Sequence, residues 1–187
     1  MNTISNKEAA LLGLISEKPK HAYEIETDVK EREMRYWTEI SMSSIYKLLK
    51  KLEETKFLKS EIRLSKNNVV QKVYSITDRG KEAFKDKLQE LISAWRPTIY
   101  PIDIGLANLN LLSKKEATKQ LTKYLESLDK MIKCYGELEK FLVDGKCHLG
   151  NIQLATRRII LLKAERKWVS DFITKFQEVK NGKGNAA

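Results

Sequence analysis

The start of the chain places apolar residues every three or four positions, which predicts three amphipathic helices. The first opens on Ser5 and Glu8, the spacing of a capping box, and we expect it to end before Pro19. A second helix is predicted from about His21 to Glu33. The third lies within the segment SMSSIYKLLKKLEETKFLK, residues 41–59.

The third helix has two contrasting faces. When its residues are placed at 100° steps, four aliphatic side chains fall within about 100° of one another and define a buried face: Ile45, Leu48, Leu49 and Leu52. The opposite face and its flank carry hydroxyl and amine groups instead: Ser43, Tyr46, Lys47 and Lys50. Hydroxyls and amines are the groups that meet phosphates and base edges in protein–DNA complexes.

Two further segments alternate apolar and polar residues at period 2, which predicts strands: FLKSEIRL at 57–64 and VVQKVYSI at 69–76. The polar segment Ser65–Asn68 between them is a predicted hairpin tip, because asparagine tolerates left-handed backbone angles. Three helices followed by a two-stranded hairpin is the layout of a winged helix-turn-helix. In that fold the third helix enters the major groove and the hairpin, or wing, lies on the backbone or minor groove.

A fourth helix is predicted from Thr77 or Asp78 to about Trp95, with an apolar face made of Ala83, Phe84, Leu88, Leu91, Ile92 and Trp95. The segment RPTIYP, residues 96–101, contains two of the three prolines and marks a domain boundary. We therefore expect a mostly α protein with a winged helix-turn-helix DNA-binding domain at 1–96 and an α-helical dimerisation domain at 97–180. Residues 181–187 are predicted to be a disordered tail.

The second half carries two long periodic segments, one from a capping box at Ser113 and Glu116 and one after the turn Gly145–Gly150. Each helix would be about 40 Å long at 1.5 Å per residue. Two such helices leave apolar area uncovered, and a second copy of the chain is the simplest cover. The predicted dimerisation residues are Leu121, Leu125, Leu128, Ile132, Ile159, Leu162, Val169 and Ile173.

Charge supports a polyanionic partner for the first half. The 187-residue chain has a formal net charge of +10. Residues 21–40 carry three basic and six acidic side chains, whereas residues 47–79 carry nine basic and four acidic ones. The positive charge of the first half therefore gathers around the third helix and the hairpin.

Several classes of protein are disfavoured. The sequence has no apolar run near 18 residues and no signal-peptide pattern, so we expect a cytoplasmic protein without membrane contact. It has no glycine-rich phosphate loop, nucleophile elbow or HExxH motif, so we expect neither an enzyme nor a cofactor. Cys134, Cys147 and His148 fit no structural zinc spacing, and no metal is expected.

Three stretches resemble the PadR family of prokaryotic transcriptional regulators: LLGLISEKPKHAYEIE, SMSSIYKLLKKLEETKFLKSE and QKVYSITDRGKEAF, together covering roughly residues 9–84. The resemblance, which extends to the longer-tailed branch of the family, implies operator DNA as a partner, repression as the usual mode and dimerisation through a C-terminal helical domain. The chain departs from the family at Ala22 and Lys56, where glycine is usual, and at Lys47, where proline is frequent.

We therefore predict DNA contacts from the third helix and the wing, through Ser43, Ser44, Tyr46, Lys47, Lys50, Lys66, Asn67, Asn68 and Lys72. The competing interpretation is an ordinary solvated helix face and a plain hairpin turn. His21 and Tyr23 are interpreted as a buried, hydrogen-bonded pair between helices.

Three aromatic residues are candidates for binding a planar aromatic small-molecule effector, as some PadR relatives do near the dimer interface: Trp95, Tyr100 and Trp168. Core packing is the favoured interpretation of each. The sequence thus favours a sequence-specific DNA-binding regulator, a homodimeric repressor on an inverted-repeat operator that a small effector releases. The alternative is a helical protein–protein adaptor whose winged helix does not bind DNA.

Overall fold

The computed structural model describes residues 4–64 and 68–178. The predicted tip residues Ser65, Lys66 and Asn67 and the predicted tail at 181–187 lie outside these ranges. The chain folds as two compact units, Met1–Pro97 and Thr98–Ala187, and the predicted boundary after residue 96 falls beside this division.

The N-terminal unit combines four helices with a small sheet. Its elements in chain order are α1 (Asn6–Glu17), β1 (Lys20–His21), α2 (Ala22–Glu31), a 3₁₀ turn (Met34–Tyr36), α3 (Met42–Glu54), β2 (Leu58–Leu64), β3 (Val70–Ile76) and α4 (Asp78–Ser93). The winged-helix expectation is confirmed, and so is the capping box of α1, in which the Ser5 amide donates to Glu8 Oε2 at 2.6 Å.

The sheet has three antiparallel strands in the order β1-β3-β2, so the predicted two-stranded arrangement was incomplete. The hairpin register runs from Leu58 opposite Ile76 to Leu64 opposite Val70. The added strand β1 pairs Lys20 with Tyr74. Two residues are too few to show a period of 2, which is why the sequence pattern did not reveal β1.

The core of this unit lies between α1, α2 and α3. Ile45, Leu49 and Leu52 of α3 are fully buried there, as predicted, and Leu48 is half-buried at its edge. They pack in one cluster with apolar side chains of the other elements, including Leu11, Leu12, Ile15, Ile25, Val29 and Phe57. Burying one face of α3 leaves its opposite face turned to solvent.

The end of α3 is fixed by a Schellman motif at Lys56. The Phe57 amide donates to the Leu52 carbonyl at 2.9 Å and the Lys56 amide donates to the Glu53 carbonyl at 2.9 Å. Lys56 takes φ 61°, a left-handed angle at which glycine is usual. The cap geometry is therefore kept although glycine is absent.

The start of α4 is seated against the end of α3. Thr77 caps α4 and donates from its hydroxyl to the Lys56 carbonyl at 2.8 Å. A Cβ added at Gly80 would lie 2.2 Å from the Phe57 carbonyl oxygen, so only glycine fits this close approach.

Helix α4 ends two residues before the predicted limit of about Trp95. The helix stops at Ser93, and Trp95 lies beyond it in a segment without regular secondary structure, with 86% of its surface exposed. Ala83 and Phe84 pack against the core, but Leu88, Leu91 and Ile92 are exposed. The apolar face of α4 is thus covered only in its first half.

The C-terminal unit is a long helical hairpin preceded by short helices. Its elements are α5 (Pro101–Ala107), a 3₁₀ turn (Leu109–Leu111), α6 (Lys114–Asp144) and α7 (Leu149–Glu178). Ser113 and Glu116 form the predicted capping box of α6. Helices α6 and α7 pack antiparallel, with cross-helix hydrogen bonds such as that from the Tyr124 hydroxyl to Glu165 at 3.3 Å. No helix in the described ranges is long and apolar enough to cross a membrane.

Candidate nucleic-acid interface

The start of α3 is held by serine hydroxyls. Ser44 Oγ donates to the Ser41 carbonyl at 2.7 Å and accepts from the Ser41 amide at 3.2 Å. The Ser44 hydroxyl is thus already used to build the helix start. The exposed Ser43 hydroxyl lies 3.3 Å from that of Ser41, so both stand at the positive end of the helix dipole.

Three predicted contact residues share one exposed stripe of α3, since Ser43, Lys47 and Lys50 are spaced by four and three residues. Lys47 has no carboxylate partner among the described residues. Lys50 reaches Glu54 at 3.8 Å, but both side chains of that pair are largely exposed. Tyr46 flanks the stripe and is also exposed. The structure therefore brings these four residues together on one solvent-facing surface.

A buried carboxylate ties this helix to α1. Glu8 is almost fully buried, and its side chain pairs with Lys51 Nζ at 2.8 Å. Burial raises the pKa of Glu8, but hydrogen bonds from Lys51 and Ser5 outweigh it and leave the pKa below its ordinary value. Glu8 therefore stays ionised and holds the last turn of α3 in place.

A second carboxylate ties α3 to the wing. Lys72 Nζ donates to Glu53 Oε2 at 2.7 Å, and the Ser60 hydroxyl donates to Glu53 Oε1. The Lys72 ammonium also lies 5.3 Å from the centre of the Tyr74 ring. Lys72, predicted to contact DNA, is thus already engaged by α3. Its role in DNA contact stays a prediction.

The wing presents a surface that the sequence did not indicate. Asn68 has the left-handed φ of 56° expected for a hairpin tip and is exposed. Arg63 pairs with Glu61 on the same strand. The outer half of the hairpin exposes four apolar side chains: Ile62, Leu64, Val69 and Val70. The alternation predicted the two strands, and the core covers only the inner half of the hairpin.

The prediction that His21 and Tyr23 form a buried, hydrogen-bonded pair was wrong. His21 Nδ1 accepts from the Glu24 amide at 3.3 Å and caps α2, while Tyr23 is 70% exposed. The buried residues of α2 are Ile25 and Val29, and Tyr23 lies roughly on the opposite side of the helix, so it faces solvent. Tyr23 lines a shallow depression of about 340 Å³ together with His21, Ala22, Tyr46, Gln71, Lys72 and Tyr74.

A comparison with protein-family models gives a match within the N-terminal unit. Residues 11–86 match the model of the transcriptional regulator PadR-like family. The chain carries a PadR-like domain. This family consists of transcriptional regulators and not enzymes, in agreement with the sequence-based expectation. None of the curated proteins compared with the chain is significantly similar to it.

Solved structures share the fold over nearly the whole chain. Bacillus subtilis PadR in complex with operator DNA is 21% identical, with a TM-score of 0.76 over 90% of this chain and 98% of that one. Bacillus subtilis PadR in complex with p-coumaric acid is 23% identical, with a TM-score of 0.72 over 93% and 100%. The Vibrio cholerae virulence activator AphA is 18% identical, with a TM-score of 0.69 over 91% and 97%. At these identities the likeness shows the fold.

The predicted dimerisation residues all follow the PadR-like domain in the sequence. Several of them pack inside the α6–α7 hairpin of a single chain. Leu121 and Leu128 of α6 and Ile159 and Val169 of α7 are buried within it. The other four are half-buried along the same seam: Leu125, Ile132, Leu162 and Ile173. The seam that periodicity indicated is thus occupied by the second helix of the same chain.

A different set of apolar side chains remains exposed on this hairpin. Leu154, Leu161 and Trp168 recur every seven residues, so they form one stripe along α7. On α6, Met131 and Leu138 are also seven residues apart and exposed. None of these five is among the predicted dimerisation residues, because periodicity alone does not distinguish the seam between α6 and α7 from a surface that faces a second chain.

The three effector candidates are all at least two-fifths exposed, so core packing does not describe them in the single chain. Trp95 follows the end of α4, and Tyr100 precedes the first turn of α5. Trp168 stacks on Phe172 with ring centroids 5.5 Å apart. Each therefore offers a ring surface to solvent.

Proposed function

We propose that the chain is a sequence-specific DNA-binding repressor that acts as a homodimer. The exposed stripe of α3 would enter the major groove, with Ser43, Tyr46, Lys47 and Lys50 as contacts. The observation that carries this proposal is the exposed Lys47, which no described carboxylate pairs, beside Lys50 on the solvent face of α3 within a PadR-like domain. The predicted wing contacts Lys66, Asn67 and Asn68 would add phosphate contacts beside this groove.

Operator recognition is supported by analogy with the Bacillus subtilis relative that is bound to operator DNA. The test is protection of the DNA around the protein's own gene from nuclease. We expect an inverted repeat with half-sites about one or two helical turns apart, roughly 10 or 20 base pairs, because a two-fold dimer presents two α3 helices. If the protein bound this DNA without protecting any particular sequence from the nuclease, the proposal would be contradicted.

The sign of regulation needs its own measurement, because AphA has the same fold and is an activator. We propose repression, the usual mode of the family. A reporter driven by the protected DNA should gain expression when the regulator is deleted. Lower expression after deletion would identify an activator.

The homodimer is proposed to form through the exposed stripe of α7 and its neighbours on α6. An Asp at Leu161 would place an unpaired charge in that surface, so Leu161→Asp should raise the dimer dissociation constant by about a hundredfold or more. Sedimentation at micromolar concentration measures this, with circular dichroism confirming that the helices persist. A parent protein that stays monomeric there would contradict the dimer.

A planar aromatic effector is proposed to bind near Trp95 and to weaken DNA binding. Its exposed indole supports this, as does the relative bound to p-coumaric acid. Tenfold release requires that the effector prefer the released state by about 1.4 kcal/mol. Tryptophan fluorescence during titration with p-coumaric acid and related compounds, paired with DNA binding, is the measurement. A Trp95→Ala protein that folds, dimerises and still responds would place the site elsewhere.

A helical adaptor that uses its winged helix only for protein contacts remains a distinct function. The excess of positive charge at residues 47–79 favours the DNA-binding proposal, since this segment contains nine basic and four acidic side chains. Steep dependence of DNA affinity on salt would distinguish the two. The proposal also places the protein in the cytoplasm, where the DNA is.

A further inference from the structure

The last turn of α3 carries a carboxylate that contacts both strands of the wing. Glu53 Oε1 accepts from the Ser60 hydroxyl of β2, and Glu53 Oε2 accepts from Lys72 Nζ of β3 at 2.7 Å. Both oxygens of one side chain are thus used, each by a different strand. Ser60 lies opposite Tyr74 in the hairpin and Lys72 lies opposite Ile62, so the two contacts are two rungs apart on the same face of the ladder.

The charges make this arrangement persistent near neutral pH. Hydrogen bonds from Lys72 and then Ser60 lower the pKa of Glu53, and the bond to Glu53 raises the pKa of Lys72. Both groups therefore stay ionised across the range in which the protein would meet DNA. The Tyr74 ring beneath the ammonium adds a further attraction that keeps Lys72 in this position.

A carboxylate at this place is otherwise unfavourable for a DNA-binding surface. Glu53 sits on the same helix as Lys47 and Lys50, and a negative charge repels the phosphates that those lysines attract. Glu54, the next residue, provides the comparison, because it is exposed and pairs only within α3, with Lys50 at 3.8 Å. Glu53 alone of these two reaches across to the wing.

We propose that Glu53 and Lys72 are positioning residues that fix the angle of the wing against the recognition helix, and that Lys72 is not a phosphate contact. This inference rests on the proposed DNA-binding function. The wing and α3 must reach adjacent parts of the DNA together, so an unfixed wing lowers affinity by the cost of ordering it on binding. Lys72 thus has a role different from the one its charge suggests.

The direction in which one substitution changes DNA affinity distinguishes the two roles of Glu53. Glu53→Gln keeps the size of the side chain, removes its charge and leaves one acceptor oxygen. If Glu53 only neutralises Lys72, the change frees a lysine for phosphate, so DNA affinity rises and its salt dependence steepens by about one unit per subunit. If Glu53 positions the wing, affinity falls although a negative charge has been removed.

The experiment uses full-length protein and a duplex enriched by the parent protein from a random-sequence pool, with affinity measured over a series of salt concentrations. We expect Glu53→Gln to weaken binding roughly two- to fivefold, the scale of a partly exposed ion pair, with the salt slope unchanged. The matched control Glu54→Gln should bind as tightly as the parent or more tightly. Lys72→Gln should lose affinity to the same extent without lowering the slope.

Combining the substitutions sharpens the result. The Glu53→Gln/Lys72→Gln protein should bind about as well as either single variant, because both changes break one contact. Ser60→Ala serves as the second probe if Glu53→Gln fails to fold, since it removes the tie to β2 without changing any charge. It should weaken binding and increase hydrogen exchange in β2.

The proposal is overturned if Glu53→Gln binds more tightly with a steeper slope, or if Lys72→Gln lowers the slope by about one unit per subunit. It is also overturned if Ser60→Ala binds like the parent. A parent protein that enriches no duplex from the pool contradicts the DNA-binding function itself, which is a separate and recognisable result.

Discussion

The two units of this chain differ in how they dispose of their apolar side chains. The N-terminal unit buries sixteen apolar residues in one cluster shared by its helices and sheet. In the C-terminal unit, α6 and α7 bury six residues along one seam and leave apolar residues such as Leu154, Leu161 and Phe141 exposed. The first unit therefore has a core of its own, although the second half of α4 and the outer half of the wing leave apolar side chains exposed. The second unit has a surface typical of one side of an interface.

This difference indicates that the core of the N-terminal unit provides stability, whereas the exposed surface of the C-terminal unit serves assembly. In the N-terminal unit the packing of α3 on one side leaves its other side free to carry polar groups. In the C-terminal unit the exposed apolar stripe has no such explanation within one chain. We infer that substitutions in the two units affect different observables, folding in one and association in the other.

The largest contrast is expected between Leu49 and Leu161. Leu49→Ala removes a fully buried side chain and should cost about 2–5 kcal/mol of unfolding free energy. Leu161→Ala should leave the stability of the N-terminal unit unchanged and weaken only dimerisation, because Leu161 is exposed in the single chain. Hydrogen exchange resolved along the chain, together with sedimentation, measures both. Equal destabilisation of the N-terminal unit by the two changes would break the comparison.

Two glycines provide a contrast of opposite sign. Gly80→Ala places a Cβ against the Phe57 carbonyl and should cost roughly 1–3 kcal/mol. A Cβ at Gly136, inside α6, meets no atom within 4 Å. Gly136→Ala should therefore stabilise the protein by about 0.5–1 kcal/mol, since alanine is the better helix former. Urea unfolding gives both values, and a destabilised Gly136→Ala protein would indicate that a partner approaches α6 closely there.

An ion-pair network predicts that the N-terminal unit is sensitive to acid. Lys20 is fully buried and reaches Glu17 at 2.9 Å and Asp28 at 2.5 Å. Arg32 also pairs with Glu17 at 2.5 Å, and its hydrogen bond lowers the pKa of Glu17 to about 2. A depressed carboxylate pKa stabilises the fold above about pH 4.5, and this contribution is lost as pH falls towards 2.

The corresponding variant is Glu17→Gln, which should lose about 1 kcal/mol at pH 7, a value reduced because Glu17 is nearly half exposed. The difference from the parent should shrink between pH 4.5 and pH 2. Unfolding by urea at pH 7, 4 and 2.5 measures it. The control is Asp129→Asn in the C-terminal unit, whose pair with Arg166 is exposed on both sides. A Glu17→Gln deficit that stays constant with pH would contradict the assignment.

Much of the fold follows from local rules that the sequence displays. The capping boxes at Ser5 and Ser113 and the buried face of α3 depend on residues a few positions apart, so their spacing predicts them. Strand β1 and the end of α4 do not follow from such rules. They depend on which distant elements pack nearby, and two residues or one terminal turn carry too little pattern to show it.

The candidate site likewise combines a feature that follows from local sequence rules with features that depend on the tertiary structure. The exposed stripe of Ser43, Lys47 and Lys50 follows from helical periodicity once the buried face is known. The engagement of Lys72 by Glu53 joins residues nineteen positions apart and needs the register of the hairpin. His21 acts as the cap of α2, a role that histidine rarely signals in sequence.

The most direct test of the DNA-binding account is the salt dependence of affinity for the parent and for Lys47→Ala. The control is Lys119→Ala, which removes an exposed lysine from α6. Both are measured on the duplex enriched by the parent. We expect Lys47→Ala to weaken binding and to reduce the slope of log affinity against log salt by about one unit per subunit, with Lys119→Ala unchanged. Identical slopes for the parent and Lys47→Ala would show that the exposed face of α3 does not lie on DNA.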